Sequence, residues 1–447
     1  MSEKKDKKSK KTRSFSAMDG AALLFFGGAL TPEQKSKRAQ KLRDKHDDPE
    51  TYAFYDKYTT PQEKKAWKEL KADAQAYCGQ IGKTIYPVPA TPTDAVYDVL
   101  ENQPIPMRFF TTDPVPDVDA NVPSQNNGLT LAYKTFGSPN GPAILIPTCF
   151  SGQIRSTLNF LYEGPGAPLK DYFVIVCGLL GGGDSSSPSN APSHMRGSKF
   201  PKVTYEDNIR LQYALCRALG VTQLEAYIGF SMGGQQAYYM AAMFPEFVNS
   251  IVVLASSART SWHNKSFLEG PKTALLNSID WHAGEYTEPA RKGTVAFARA
   301  YSTWALSSAW FRQRNWEKLG CASVEDYLST NWDDEMGALD ANDLLCMVNT
   351  WWHGNLATVG KGDGSLEQAL AGIKAKVLLM PSRTDLYFPP EDSEEEVKHL
   401  ARGKLVIVES VWGHLAGGEF GPEEDQQFIG KEVRRFLSDT QESKCHV

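Results

Sequence analysis

Short apolar runs of four or five residues recur from residue 143 onward, and they limit what this chain can fold into. They are Ala143 to Ile146, Phe173 to Cys177, Ala226 to Gly229, Ile251 to Leu254, Val377 to Met380 and Leu405 to Val408. Each is too short for a helix of ordinary length, and the Val, Ile and Leu content suits strands covered on both faces. Helical patterns such as Tyr205 to Leu219 and Gln235 to Met243 lie between them. Strand alternating with helix predicts an α/β protein with a mostly parallel central sheet flanked by helices. A long helix-like interruption, rich in Trp and Tyr, separates the fourth run from the fifth. It is expected to be a helical cap inserted over the sheet edge where a site would lie.

With 447 residues, 41% of them hydrophobic, the chain can bury one large core with additions, or two domains. A formal net charge of −5 gives no electrostatic reason to expect nucleic-acid binding. The seven cysteines are scattered, with no CxxC among them. They read as reduced thiols, so a cytoplasmic location is expected. No apolar run approaches the roughly 18 residues of a transmembrane helix. The nearest, Ala21 to Leu30, follows the basic segment Lys4 to Arg13. A signal peptide would place small residues directly after that stretch. Thr31-Pro32-Glu33 reads instead as a helix start. A disordered basic tail and a peripheral membrane contact through the lysines, Phe25 and Phe26 both stay open.

Two charged, helix-prone stretches follow, Thr31 to Lys45 and Thr60 to Cys78, then a proline-spaced connector. Residues 1–110 are expected to form this basic tail and a helical extension that packs on the main domain or covers its entrance, a mobile appendage without function being the alternative. Residues 111–261 and 370–447 would be the two parts of the α/β core, and 262–369 the cap.

Gly229-Phe230-Ser231-Met232-Gly233-Gly234 follows one of the predicted strands and precedes a predicted helix. Strand, G-x-S-x-G, helix is the context in which this motif means a nucleophile on a tight turn. The turn brings backbone segments so close that flanking positions need residues without Cβ. The helix start aims free N–H groups and a positive dipole end at the reacting centre. In this arrangement the acid and base follow in the order Ser, Asp or Glu, His. Asp385 lies just past the run ending at Met380, and His414 follows the run ending at Val408. Serine is a poor nucleophile at neutral pH and needs His414 to take its proton. Asp385 would set the histidine tautomer and stabilise the imidazolium. Ser231, Asp385 and His414 are therefore the candidate catalytic residues of an α/β-hydrolase fold.

An oxyanion hole needs the N–H after the nucleophile, from Met232, and another from the loop after an earlier strand. Phe150 is the candidate second donor, with Cys149 close behind. The loop Gly181-Gly182-Gly183-Asp184 lacks the phosphate-cradling pattern and is expected along the site rim. His353 is expected to be a packed cap histidine. No cluster has metal-ligand spacing, so no metal is expected. The acidic run Glu391 to Glu396 reads as a solvated helix start.

Several segments together resemble the homoserine O-acetyltransferase-like family, in its divergent fungal type. They are Gly229 to Gly234, Ser185 to Ser189, Phe200 to Asp207 with Gln212, Gly284-Glu285-Tyr286 with Gly293 and Ala298-Arg299, Asp340 to Leu344, Asp385 to Pro390, and Gly413-His414. The resemblance covers roughly 129–437. It implies small-molecule acyl donors and acceptors, with acyl-CoA as a candidate co-substrate and no bound cofactor, and a homodimer as the expected assembly. Arg299 joins Cys149 and Phe230 as candidate substrate-binding residues. Three departures bear on substrate. The family's His-Ala-Leu-Thr-Gly is here Thr148-Cys149-Phe150-Ser151-Gly152. Its His-Asp-Ala-Phe is His414-Leu415-Ala416-Gly417, and Phe230 stands where the family has glycine. The leading expectation is a two-step acyl transfer from a thioester or ester to an alcohol. The alternative is an esterase or thioesterase, because fold alone does not distinguish the two. A non-catalytic binding protein on the same fold is the remaining rival.

Overall fold

The computed structural model describes residues 108–111, 129–164, 166–359 and 364–445. The basic tail and the two helix-prone stretches lie outside the described residues. Eight strands form one sheet in the order β1-β2-β4-β3-β5-β6-β7-β8. They are β1 (Arg108–Thr111), β2 (Thr130–Phe136), β3 (Ala143–Pro147), β4 (Phe173–Cys177), β5 (Leu224–Phe230), β6 (Ser250–Leu254), β7 (Lys376–Met380) and β8 (Gly403–Leu405). β1 and β2 run antiparallel to their neighbours, and β3 to β8 are parallel. β1 straddles position 110, where the sequence suggested a division between extension and core.

Five of the six apolar runs fall in β3 to β7, whose residues are buried almost throughout. The sixth is displaced. Regular pairing of β8 covers Gly403–Leu405, while the N–H groups of Val406 and Val408 continue to donate to the carbonyls of Leu379 in β7 and Pro381 just after it. Residues 404–407 are only half-buried, because an edge strand has a neighbour on one side only. β2 was not singled out in the sequence.

The helices follow the same logic. α1 (Tyr205–Ala218) opens with a capping box, in which Thr204 accepts the Asp207 N–H and Asp207 accepts that of Thr204. α2 (Met232–Met243) starts directly after Ser231, three residues earlier than its apolar pattern suggests, and is buried on every face over Met232 to Ala241. Between β6 and β7 the chain forms α3 (Trp262–Leu276), α4 (Arg291–Ala305), α5 (Ser308–Arg312), α6 (Val324–Leu328), α7 (Ala341–His353) and α8 (Leu366–Ala371). α9 (Pro390–Glu396) and α10 (Glu423–Cys445) follow β7 and β8. α9 has proline at its start, as the sequence suggests, but it is not simply solvated. Glu396 is buried and accepts the Tyr238 hydroxyl and the Ala258 N–H, each at 2.7 Å.

From β3 the chain steps to β4 on one side, then crosses to β5 on the other. In a parallel sheet such a reversal opens a crevice at the carboxyl ends of the strands, and ligands bind there. The loop after β3 begins at Thr148, and β5 delivers Ser231.

Candidate active site

Ser231 joins β5 to α2 with φ 56° and ψ −124°, a conformation that costs an L-residue free energy and persists only where packing enforces it. A Cβ on Gly229 would lie 2.0 Å from the Gly233 carbonyl oxygen, so only glycine fits at that turn. The start of α2 abuts the loop after β3, where Gln236 Nε2 donates to the Thr148 carbonyl at 3.3 Å. As the first residue of α2, Met232 has no helical carbonyl for its N–H.

Asp385 lies in the loop after β7 and His414 in a short 3-10 turn, Gly413–Gly417. Both side chains are buried. Asp385 Oδ1 accepts the N–H groups of Tyr387 (2.7 Å) and Phe388 (3.0 Å), and Oδ2 lies 2.7 Å from His414 Nδ1. A carboxylate only accepts, so Nδ1 carries the hydrogen and Nε2 keeps its lone pair. Phe230, Tyr387 and Phe388 hold the imidazole between their rings, with centroids 4.7, 4.8 and 5.6 Å away. Gly413 is held at φ 57°, where a Cβ would meet the Ala305 carbonyl oxygen at 2.5 Å.

The loop after β3 carries Cys149 and Phe150, then Ser151 at φ 55°. Its turn closes through the Gly152 N–H on the Cys149 carbonyl (3.1 Å). The Phe150 ring stacks on Tyr301 of α4, 5.1 Å between centroids. Burial pushes the Cys149 thiol well above its ordinary range, so it is protonated and unsuited to nucleophilic attack. Asp184 braces this loop from behind by accepting the Ile154 N–H at 2.9 Å. The glycine loop 181–183 packs under α7, where a Cβ on Gly181 would lie 2.6 Å from Cys346 Sγ. It is therefore not among the cavity-lining residues, contrary to the rim position expected from sequence.

Ser231 and His414 open into one cavity of about 390 Å³, together with Cys149, Phe150 and Phe230. One side comes from the loops at the sheet's carboxyl edge. The other comes from residues 301–339, including Tyr301, Leu306, Trp332, Met336 and Leu339. Among the described residues no group of His, Cys, Asp or Glu is placed to hold a metal ion, and no helix is long and apolar enough to cross a membrane.

Residues 142–419 match the alpha/beta hydrolase fold family. The chain belongs to that family. A probable esterase of Corynebacterium glutamicum is 32% identical over 294 residues, 64% of this chain and 83% of the esterase. A homoserine O-acetyltransferase of Carboxydothermus hydrogenoformans is 30% identical over 311 residues, 62% of this chain and 81% of the transferase. The crystal structure of an acetylester hydrolase from C. glutamicum superposes with a TM-score of 0.66 at 30% identity, covering 70% of this chain and 91% of that one. The chain is an alpha/beta-hydrolase-fold enzyme of the acyltransferase or ester-hydrolase type, and its resemblance to the homoserine O-acetyltransferases holds alongside an equal one to esterases.

Within this alpha/beta hydrolase, two of the positions that depart from the acetyltransferase motifs are neighbours. Phe230 stands where that family has glycine, and Gly417 where it has phenylalanine. The two meet in space. A Cβ on Gly417 would lie 3.0 Å from the Phe230 ring, and one on Gly418 2.8 Å from it. Arg299 is placed elsewhere. Its guanidinium pairs with Asp333 (2.6 Å) and Glu325 (2.9 Å) and does not line the cavity. Two carboxylates already satisfy it, so it secures the 325–333 segment behind Trp332. His353 is exposed at the end of α7, bonded to the Asn349 carbonyl, and is not packed. The sequence placed a cap over the sheet edge but did not single out Tyr387 or the individual residues of the 301–339 wall. Tyr387 stood two residues beyond the candidate acid, and the tryptophan-rich composition of the wall was the signal for the rest.

Proposed function

We propose that this enzyme hydrolyses carboxylic esters through an acyl-enzyme on Ser231. The observation that carries the reading is the opening of Ser231 and His414 into one cavity, with Asp385 2.7 Å behind the histidine. His414 Nε2 takes the Ser231 proton as Oγ bonds to the substrate carbonyl carbon. The N–H groups of Met232 and Phe150 receive the developing oxyanion. The tetrahedral intermediate expels the alcohol, which leaves with the proton from His414. Water then attacks the acyl-enzyme and gives a proton to His414; the second tetrahedral intermediate breaks its bond to Oγ, which takes that proton back from His414 as the acid leaves.

The residues between β6 and β7 act as a cap over this site, and the cavity beneath them remains open to solvent at Leu319 and Phe420, 45% and 57% exposed. Water reaches such a site. Arg155 and Glu335, both exposed, are the basic and acidic lining residues besides His414. One arginine gives the phosphates of an acyl-CoA little to bind, which favours a simple ester as donor. Transfer to an alcohol is the second reading, favoured by the apolar walls, which position an alcohol better than bulk water does.

A partition assay separates the two. Purified enzyme is given p-nitrophenyl acetate or acetyl-CoA, with and without a panel of alcohols including homoserine. Acid as the main product with every alcohol supports hydrolysis. Acylated alcohol formed faster than acid establishes the transferase and identifies its acceptor class.

A further inference from the structure

The shape and lining of the cavity point to a substrate much larger than an acetyl ester. An apolar cavity of about 150 Å³ holds a benzene ring. This one measures about 390 Å³, so the two carbons of an acetyl group would leave most of it unfilled.

The lining says what fills it. Several polar groups on the 301–339 wall and beside it are already engaged within the protein. Trp332 Nε1 donates to the Tyr327 hydroxyl at 2.8 Å, and the Tyr387 hydroxyl donates to the Tyr301 carbonyl at 2.5 Å. Asn331 Nδ2 donates to the Tyr327 carbonyl at 3.2 Å and to Thr330 Oγ1 at 2.9 Å. What Trp332 and Tyr387 leave for a ligand is ring face. Leu306, Met336, Leu339 and Trp412 complete that surface, and all four are buried or half-buried. The apolar lining also continues outward through Leu319 and Phe420, both exposed. Charge is confined to that outer region, where Arg155 and Glu335 are exposed and of opposite sign.

We infer that the substrate is a neutral carboxylic ester with an apolar arm of roughly six or more carbons, lying along Leu306, Met336, Leu339 and Trp412 and leaving past Leu319 and Phe420. The inference rests on Ser231 being the nucleophile of ester cleavage, as proposed above. Each methylene moved from water onto such a surface is worth about 0.8 kcal/mol, a factor of about four in kcat/KM.

Two series of esters test it with the full-length enzyme: p-nitrophenyl acetate, butyrate, hexanoate and octanoate, and ethyl, butyl, hexyl and octyl acetate. The expected result is a rise of at least tenfold in kcat/KM from the shortest to the six- or eight-carbon member of one series. Which series rises tells whether the arm belongs to the acyl or the alcohol side. Leu339→Trp, which fills part of the wall, is expected to lower the ratio of the longest to the shortest ester at least tenfold. That ratio is internal to one preparation, so a smaller folded fraction does not affect it. Acetate cleaved as well as or better than the longer members of both series overturns the inference and leaves Ser231 catalysis standing. Failure to cleave any ester, together with failure to react with a fluorophosphonate, overturns both.

Discussion

At Ser231 the backbone itself records a compromise. Its φ of 56° costs an L-residue about 1–3 kcal/mol, and glycine would adopt it without strain. Ser231→Ala is expected to reduce kcat by about 10⁴-fold or more, the scale on which a triad serine acts. Ser231→Gly should be equally inactive, yet more stable than the alanine variant by about 1 kcal/mol. Denaturant midpoints of the two variants measure that difference, and equal midpoints would mean that the elbow holds no strain. Asp385 fixes one tautomer of His414 through a single 2.7 Å contact, while its other oxygen is held by two N–H groups. Asp385→Asn presents an amide that can turn its N–H₂ toward Nδ1, which selects the wrong tautomer. The expected fall in kcat near neutral pH is about 10⁴-fold, with the fold kept by circular dichroism. A loss smaller than tenfold would show that Asp385 is not the orienting group.

Strand, turn and helix around Ser231 act as one unit, because Ser231 alone separates the end of β5 from the start of α2 and its N–H still donates to the Leu254 carbonyl at 2.9 Å. Gly229→Ala places a methyl 2.0 Å from the Gly233 carbonyl oxygen, where neither atom can move without displacing Ser231. Soluble yield or thermal midpoint should fall sharply, in the range of a severe core substitution, about 3 kcal/mol or more. A variant of normal stability would mean that the turn is looser than described. This unit was legible in the sequence, since the glycines and the serine are demanded by local sterics. The ends of other elements were not. β8 stops at Leu405 because an edge strand lacks a second neighbour. α9 turns Glu396 inward because Tyr238 and the Ala258 N–H, both distant in sequence, offer it partners. The acidic run gave no sign of that.

For the whole molecule, the alternation of strand and helix made the fold class readable, and chain order made the three candidate catalytic residues readable. The cavity was not. Its outer wall is assembled from residues 301–339 folding back over the sheet, and which side chains meet there depends on tertiary packing that no local period encodes. Arg299 illustrates the gap, since a matching motif named it but Asp333 and Glu325 occupy it. Buried acids give the molecule a pH signature of the same non-local origin. Burial raises Glu396 to about 8 and Glu419 to about 7, against roughly 4.3 for a glutamate in the unfolded chain. Between those values the unfolded state has lost protons that the folded state keeps, so stability is highest below about pH 4.3 for these two groups and is lost as pH rises through 7 and 8. Unfolding midpoints measured from pH 5 to 8 should fall, and Glu396→Gln with Glu419→Gln should flatten the slope. A slope unchanged in the double variant would assign the effect elsewhere. The most direct test of the central claim is intact-protein and peptide mass spectrometry after acid-quenching a brief reaction with p-nitrophenyl butyrate. One butyryl group is expected, carried by the peptide containing Ser231 and absent from Ser231→Ala. Continued turnover by Ser231→Ala, or a butyryl group found on Cys149 in place of Ser231, would contradict it.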